Sequence, residues 1–159
     1  MPLAIFAYAL SMTAANLSVA AFGPLVTPLN AFLFIGLDLV LRDWLHVRLR
    51  FYQMAGLIFV SGLLTYLLNP ATEIIAIAST TAFTLAALSD WAIFSRLKGS
   101  WPFRVNASNV GGAAVDSIVF PAIAFGAFLP HIIIVQFLAK VFGGFLWSLI
   151  LRHEQPTNC

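Results

Sequence analysis

Apolar residues run along this chain in six long stretches, and turn-forming or charged residues cut it between them. A bilayer core takes about 20 apolar residues in helix, with a range of about 17 to 25. Each stretch therefore predicts a membrane-length helix, over about 3–22, 25–41, 51–68, 71–94, 109–129 and 131–151. Gly23-Pro24, Asn69-Pro70 and Pro130 mark three very short connections. Residues 42–50 and 95–108 make two longer polar ones, and 152–159 form a short tail. Alternating short and long connections predict antiparallel hairpins with one bare face and one decorated face.

Composition agrees with this division. Hydrophobic residues make up 61% of the chain and charged residues 9%, against about 25% charged in soluble domains. So little charge cannot cover a water-facing surface, so most of this surface faces lipid. Seven of the eight basic residues, Arg42, Arg48, Arg50, Arg96, Lys98, Arg104 and Arg152, fall on the decorated side. The positive-inside rule places that side in the cytoplasm. The expectation is an all-α integral membrane bundle of six transmembrane helices with both termini cytoplasmic, multi-pass in the inner (plasma) membrane. Trp44, Trp91 and Trp101 lie near the same face, as interfacial anchors do. A net charge of +2 gives no reason to expect a nucleic-acid partner. The apolar N-terminus has no Lys or Arg before Arg42, so it reads as a retained helix rather than a cleaved signal. The single cysteine, Cys159, has no partner for a disulfide or a metal pattern.

Some residues do not belong in lipid. An ionised side chain at the bilayer centre costs about 2.5–3.5 kcal/mol on the insertion scale, so such residues face a bundle interior or a wet cavity. Lys140 lies mid-way along the sixth predicted helix, Asp116 in the fifth, Asp38 in the second and Asp90 near the inner end of the fourth. Helical spacing gathers polar residues into stripes. Gln136, Lys140, Gly144 and Trp147 share one face. So do Asn109, Gly112 and Asp116; Asn30, Phe34, Asp38 and Arg42; and Tyr8, Met12, Asn16 and Ala20. Four helices thus carry a polar stripe inside an apolar cylinder, which a dry bundle does not need.

Plainer roles fit several of these residues. Lys140 and Asp116 can form a buried structural ion pair, which is compatible with a ligand site. Asp38 and Arg42, four apart, fit an intrahelical pair. Asp90 fits an interfacial residue pairing with Arg96 or Lys98, and Asn16 fits a helix–helix hydrogen bond. No His-Glu-x-x-His, Gly-x-Ser-x-Gly or glycine-rich phosphate loop occurs. The three histidines, His46, His131 and His153, divide between the two faces. An enzyme is therefore not expected, nor a cofactor, a metal or an ATP-driven motor within this chain.

Several fragments, in order along the chain, resemble the queuosine precursor transporter family, also called the VUT family. They are Thr13-Ala-Ala-Asn16, Asp38-Leu-Val-Leu-Arg42, Ala76-Ile-Ala-Ser79 through Asp90 to Phe94-Ser-Arg96-Leu97, Ser108 to Asp116-Ser117, and Phe137-Leu-Ala-Lys140. The resemblance implies import of a 7-deazaguanine such as preQ0 or preQ1. Such a ring offers N–H donors to a carboxylate, which makes Asp116 or Asp38 a natural partner. Its acceptors want a donor such as Lys140 or Asn16, and its plane wants an aromatic face such as Trp147 or Phe34. The expected substrate-binding set is Asn16, Asp38, Asp116, Gln136, Lys140 and Trp147, with Arg42, Asp90 and Arg96 in gating or coupling. The expected partners are that small molecule and the lipid bilayer. A homo-oligomer and a separate energising module are both compatible with the sequence. The competing expectation is a substrate-capture subunit for a vitamin-like molecule that depends on a separate ATPase.

Overall fold

The computed structural model describes residues 2–46 and 48–151. Expectations for Arg152, His153, Cys159 and the tail lie outside the described residues, as do those for the side chains of His46 and Trp101. Among the described residues the chain is helical throughout, with no strand. Helix α1 is Pro2–Phe22, followed by a 3₁₀ turn at Gly23–Val26 and the short α2 at Thr27–Asn30. A π-helical turn, Ala31–Ile35, leads into α3, Gly36–His46. Then come α4 at Phe51–Leu68, α5 at Glu73–Arg96, α6 at Trp101–Ala124 and α7 at Pro130–Ile150.

Four helical stretches are long and apolar enough to cross a membrane: Pro2–Leu45, Pro70–Arg96, Pro102–Ala124 and Pro130–Ile150. The first is not a straight rod. Gly23 has φ +69°, a left-handed conformation that glycine adopts without steric cost. The chain doubles back there, and Asn30 Nδ2 donates to the Ala15 carbonyl at 3.1 Å and to Ser18 Oγ at 2.6 Å. Further along, Leu41 and Leu45 share a core cluster with Tyr8 and Met12. Helix α4, the fifth apolar element, is shorter at 18 residues.

Packing joins the legs in the order α1, α3, α7, α6, α5, α4 and back to α1. The ring is inverted relative to a soluble protein. Its outward side chains are large and apolar, with Leu25 91%, Leu3 79% and Phe22 71% exposed. Its buried interior holds Asn16, Asn30, Asp38, Arg42, Asp43, Asp90, Asp116, Gln136 and Lys140. An apolar coat around a polar interior is what lipid outside and a hydrophilic path inside would select.

Two sequence expectations need correction. The fifth predicted helix, 109–129, lies at Trp101–Ala124 instead. Ser100 is extended and Pro102 sits in the first turn, which starts a helix early in a stretch that reads as polar loop. Gly126, at φ +62°, lies just past its end, so apolar Phe125–Leu129 does not continue it. The second correction concerns Arg42. Helix α3 extends to His46, so Arg42 sits inside it at 1% exposure rather than in a loop.

The contact between α7 and the π turn depends on absent side chains. A Cβ on Gly36 would lie 2.7 Å from the Gly143 carbonyl carbon, and one on Gly143 would run into the Phe32 carbonyl oxygen. Both obstacles are backbone and cannot swing away. Gly143→Ala should therefore destabilise the protein by about 1–3 kcal/mol. Gly56→Ala, with nothing within 4 Å of its Cβ, should be neutral or stabilising by up to about 1 kcal/mol, because alanine favours helix. Thermal unfolding in detergent checks both, and an unchanged Gly143→Ala midpoint would disprove the close packing.

Candidate functional site

The centre of the ring holds a cavity of about 340 Å³ between the surrounding atoms. Its walls include Ala15, Asn16 and Val19 of α1; Thr27 and Asn30 of α2; Ala31 and Ile35 of the π turn; Ser79 and Phe83 of α5; Asp116 and Phe120 of α6; and Gln136 and Lys140 of α7. Only about 30 Å³ is open to the centres of water molecules, room for two or three waters at a need of about 10–15 Å³ each. The cavity is narrow, and seven of its thirteen wall residues are polar or charged.

Lys140 is its fixed point. The ammonium donates to Asp116 Oδ2 at 2.7 Å, Ser117 Oγ at 3.0 Å and Gln136 Oε1 at 3.0 Å. An ammonium carries three donors, so all three are used. Three elements of sequence produce this cluster. Gln136 and Lys140 are one helical turn apart, Asp116 and Ser117 are adjacent on α6, and Pro121 lies four residues beyond Ser117. Proline lacks an N–H, so it leaves the Ser117 carbonyl without its usual helical donor. With Gln136 Oε1 and Asp116 Oδ2 engaged by Lys140, Gln136 Nε2 is buried with no hydrogen-bond partner.

The opposite wall is set by Asn16. It donates from Nδ2 to Thr65 Oγ1 at 3.3 Å and accepts at Oδ1 from Ser79 Oγ. The expected helix–helix role of Asn16 is therefore present, and the residue lines the cavity as well. Phe83 and Phe120 supply the aromatic surface.

Asp38 and Arg42 lie outside this wall, toward the basic end of the bundle. Arg42 Nη2 donates to Asp38 Oδ2 at 2.8 Å, with both side chains buried. The Tyr8 hydroxyl lies beside the pair without a hydrogen bond of good geometry. The Arg42 guanidinium sits 5.6 Å from the Phe83 ring centroid. Asp90 is 1% exposed and faces Asp43.

The structure thus brings Asn16, Asp116, Gln136 and Lys140 together and leaves others elsewhere. Asp38 lies off the cavity, beside Arg42. The expected pairing of Asp90 with Arg96 or Lys98 does not form: among the described residues the ion pairs are Arg42–Asp38 and Lys140–Asp116. Arg96 is exposed, and six residues carry it about 240° around the helix from Asp90. Trp147 keeps the face of Lys140, but seven residues place it about 10 Å further along the axis. There Gly143 closes against Phe32 of the π turn and Gly144 lies near Gly36 at the start of α3, and the indole N–H donates to the Leu33 carbonyl at 3.1 Å. Phe34 packs in the core cluster, because the wide π turn breaks the i+4 stripe that joined it to Asn30 and Asp38. Sequence reasoning missed Phe83 and Phe120 as wall residues. The signal was available, since each lies four residues after a polar wall residue, Ser79 and Asp116.

No curated relative and no solved structure matches the chain. A family model described as "Putative vitamin uptake transporter" matches residues 2–151. The match takes in every described helix, the apolar coat and the polar cavity. The chain belongs to this membrane transporter family, in keeping with its resemblance to the queuosine precursor transporters.

Proposed function

We propose that this chain imports a queuosine precursor, a 7-deazaguanine such as preQ0 or preQ1, through six membrane crossings with both termini in the cytoplasm. The observation that carries the reading is the buried Asp116–Lys140 pair at the wall of a central cavity lined from α1, α5, α6 and α7. The six crossings are α1, the α2–α3 leg, α4, α5, α6 and α7. On that count the connections holding Arg48, Arg50, Arg96 and Lys98 share one side, and Arg104 lies in the first turn of α6 on that side.

The polar groups at the cavity wall suit the hydrogen-bonding edges of such a ring. Asp116 is held by Lys140 through Oδ2, and its carboxylate accepts from the N1–H and exocyclic amine of a guanine-like base. Gln136 Nε2 is the donor for the ring carbonyl, since the three N–H groups of Lys140 are already used. Phe83 and Phe120 offer apolar faces to the ring plane. A fused bicycle exceeds two or three waters in size, so loading it requires the helices to part. That suits a carrier working by alternating access better than an open pore.

The test is uptake of labelled preQ0, preQ1, queuine and guanine by cells that lack their own carrier. The expected result is uptake of at least one deazaguanine, with loss of about tenfold or more in Asp116→Asn at equal protein level. Charge-assisted hydrogen bonds of about 1.5–3 kcal/mol would give a loss of that size. Uptake of none of the four, or full uptake by Asp116→Asn, would contradict the proposal.

A further inference from the structure

A second cavity lies between α3, α4 and α5 toward the basic end, with about 770 Å³ of space between its atoms. Arg42, Ile58, Thr84, Ala87 and Trp91 are among the residues that line it. Phe83 lines the central cavity, its neighbour Thr84 lines the second, and the Arg42 guanidinium lies against the Phe83 ring. The rest of Arg42 is unspent. Asp38 accepts from Nη2, while Nε and Nη1 are buried and make no hydrogen bond of good geometry, although the Tyr8 hydroxyl lies beside the guanidinium.

We propose that the second cavity is a second ligand station, separated from the central one by the Phe83 ring. The ligand class it takes is a planar heterocycle bearing a carbonyl acceptor, held by the N–H groups of Arg42 that Asp38 does not engage. This rests on the transport reading given above. Guanidinium N–H groups form a planar donor fork that suits carbonyl acceptors on a flat ring. Swinging the Phe83 ring off the guanidinium gives up a cation–π contact and opens a path from one cavity to the other. No covalent step is involved, and Arg42 keeps its charge and its bond to Asp38 throughout.

The test uses the full chain in proteoliposomes with Cys159→Ser and one introduced cysteine, Ala15→Cys in the central cavity or Ala87→Cys in the second. A small, polar, membrane-impermeant thiol reagent is applied at the basic face. Ala87→Cys should react readily and Ala15→Cys slowly. Adding Phe83→Ala, or the milder Phe83→Leu, should speed Ala15→Cys labelling by about tenfold, equivalent to removing about 1.4 kcal/mol that keeps the ring closed. Deazaguanine should slow labelling of Ala87→Cys, and less so in Arg42→Lys. An inert Ala87→Cys, or an Ala15→Cys rate unmoved by both Phe83 variants, overturns the partition. Full ligand protection of Ala87→Cys in Arg42→Lys overturns the role of Arg42 at the second station. Reagent access is read without any transport, so a protein that labels as expected but takes up no deazaguanine separates failure of the substrate reading from failure of this one.

Discussion

Lys140→Met should nearly abolish uptake and lower stability by about 3–5 kcal/mol, the cost of leaving one charge of a buried pair without its partner. The stranded group is Asp116, buried at the cavity wall. The same substitution also frees Ser117 Oγ and Gln136 Oε1, which the ammonium now engages. Asp116→Asn combined with Lys140→Met removes both charges and should recover most of the lost stability. Uptake should stay lost, because no carboxylate remains to accept from the ligand. Thermal unfolding in detergent and uptake at matched protein level separate the two effects. Recovery of uptake in the double variant would reduce the pair to a structural bridge.

Arg42→Met should cost a similar amount, about 3–5 kcal/mol, because Asp38 is then buried without its counter-charge. The guanidinium also loses its place against Phe83. Arg42→Lys should restore much of the stability, since a lysine reaches Asp38, but not the uptake, since an ammonium lacks the planar donor fork. An Arg42→Met protein that unfolds within about 1 kcal/mol of the parent would mean that the carboxylate of Asp38 is relieved in some other way.

Much of this was legible in the sequence because two constraints leave strong marks. Lipid demands an apolar coat, so the helices stand out as apolar stretches between Gly23-Pro24, Asn69-Pro70 and Pro130. Burying charge in a helix is costly, so Asp116 and Lys140 announce themselves as interior residues, and the structure pairs them at 2.7 Å. Legibility failed where helix geometry departs from a regular period. The π turn at Ala31–Ile35 rotates Phe34 out of the stripe it shares with Asn30. The Asp38–Arg42 pair, by contrast, was legible from its four-residue spacing and forms at 2.8 Å, so Asp38 engages Arg42 and is not among the cavity-wall residues. Apolar Phe125–Leu129 hid the end of α6, because hydropathy does not register the positive φ of Gly126. Phe83 and Phe120 were overlooked for a different reason. In a chain with 15 phenylalanines, only the spacing from Ser79 and Asp116 sets these two apart from lipid-facing rings.

If the Asp116–Lys140 cavity carries a 7-deazaguanine through this chain, the chain needs no partner to move it. The most direct measurement is uptake of labelled preQ0 and preQ1 by the purified chain alone in liposomes, beside its Asp116→Asn variant. The expected result is saturable uptake of at least one of them without any added ATPase, lost in the variant. No uptake by the chain alone, or equal uptake by parent and variant, would contradict it.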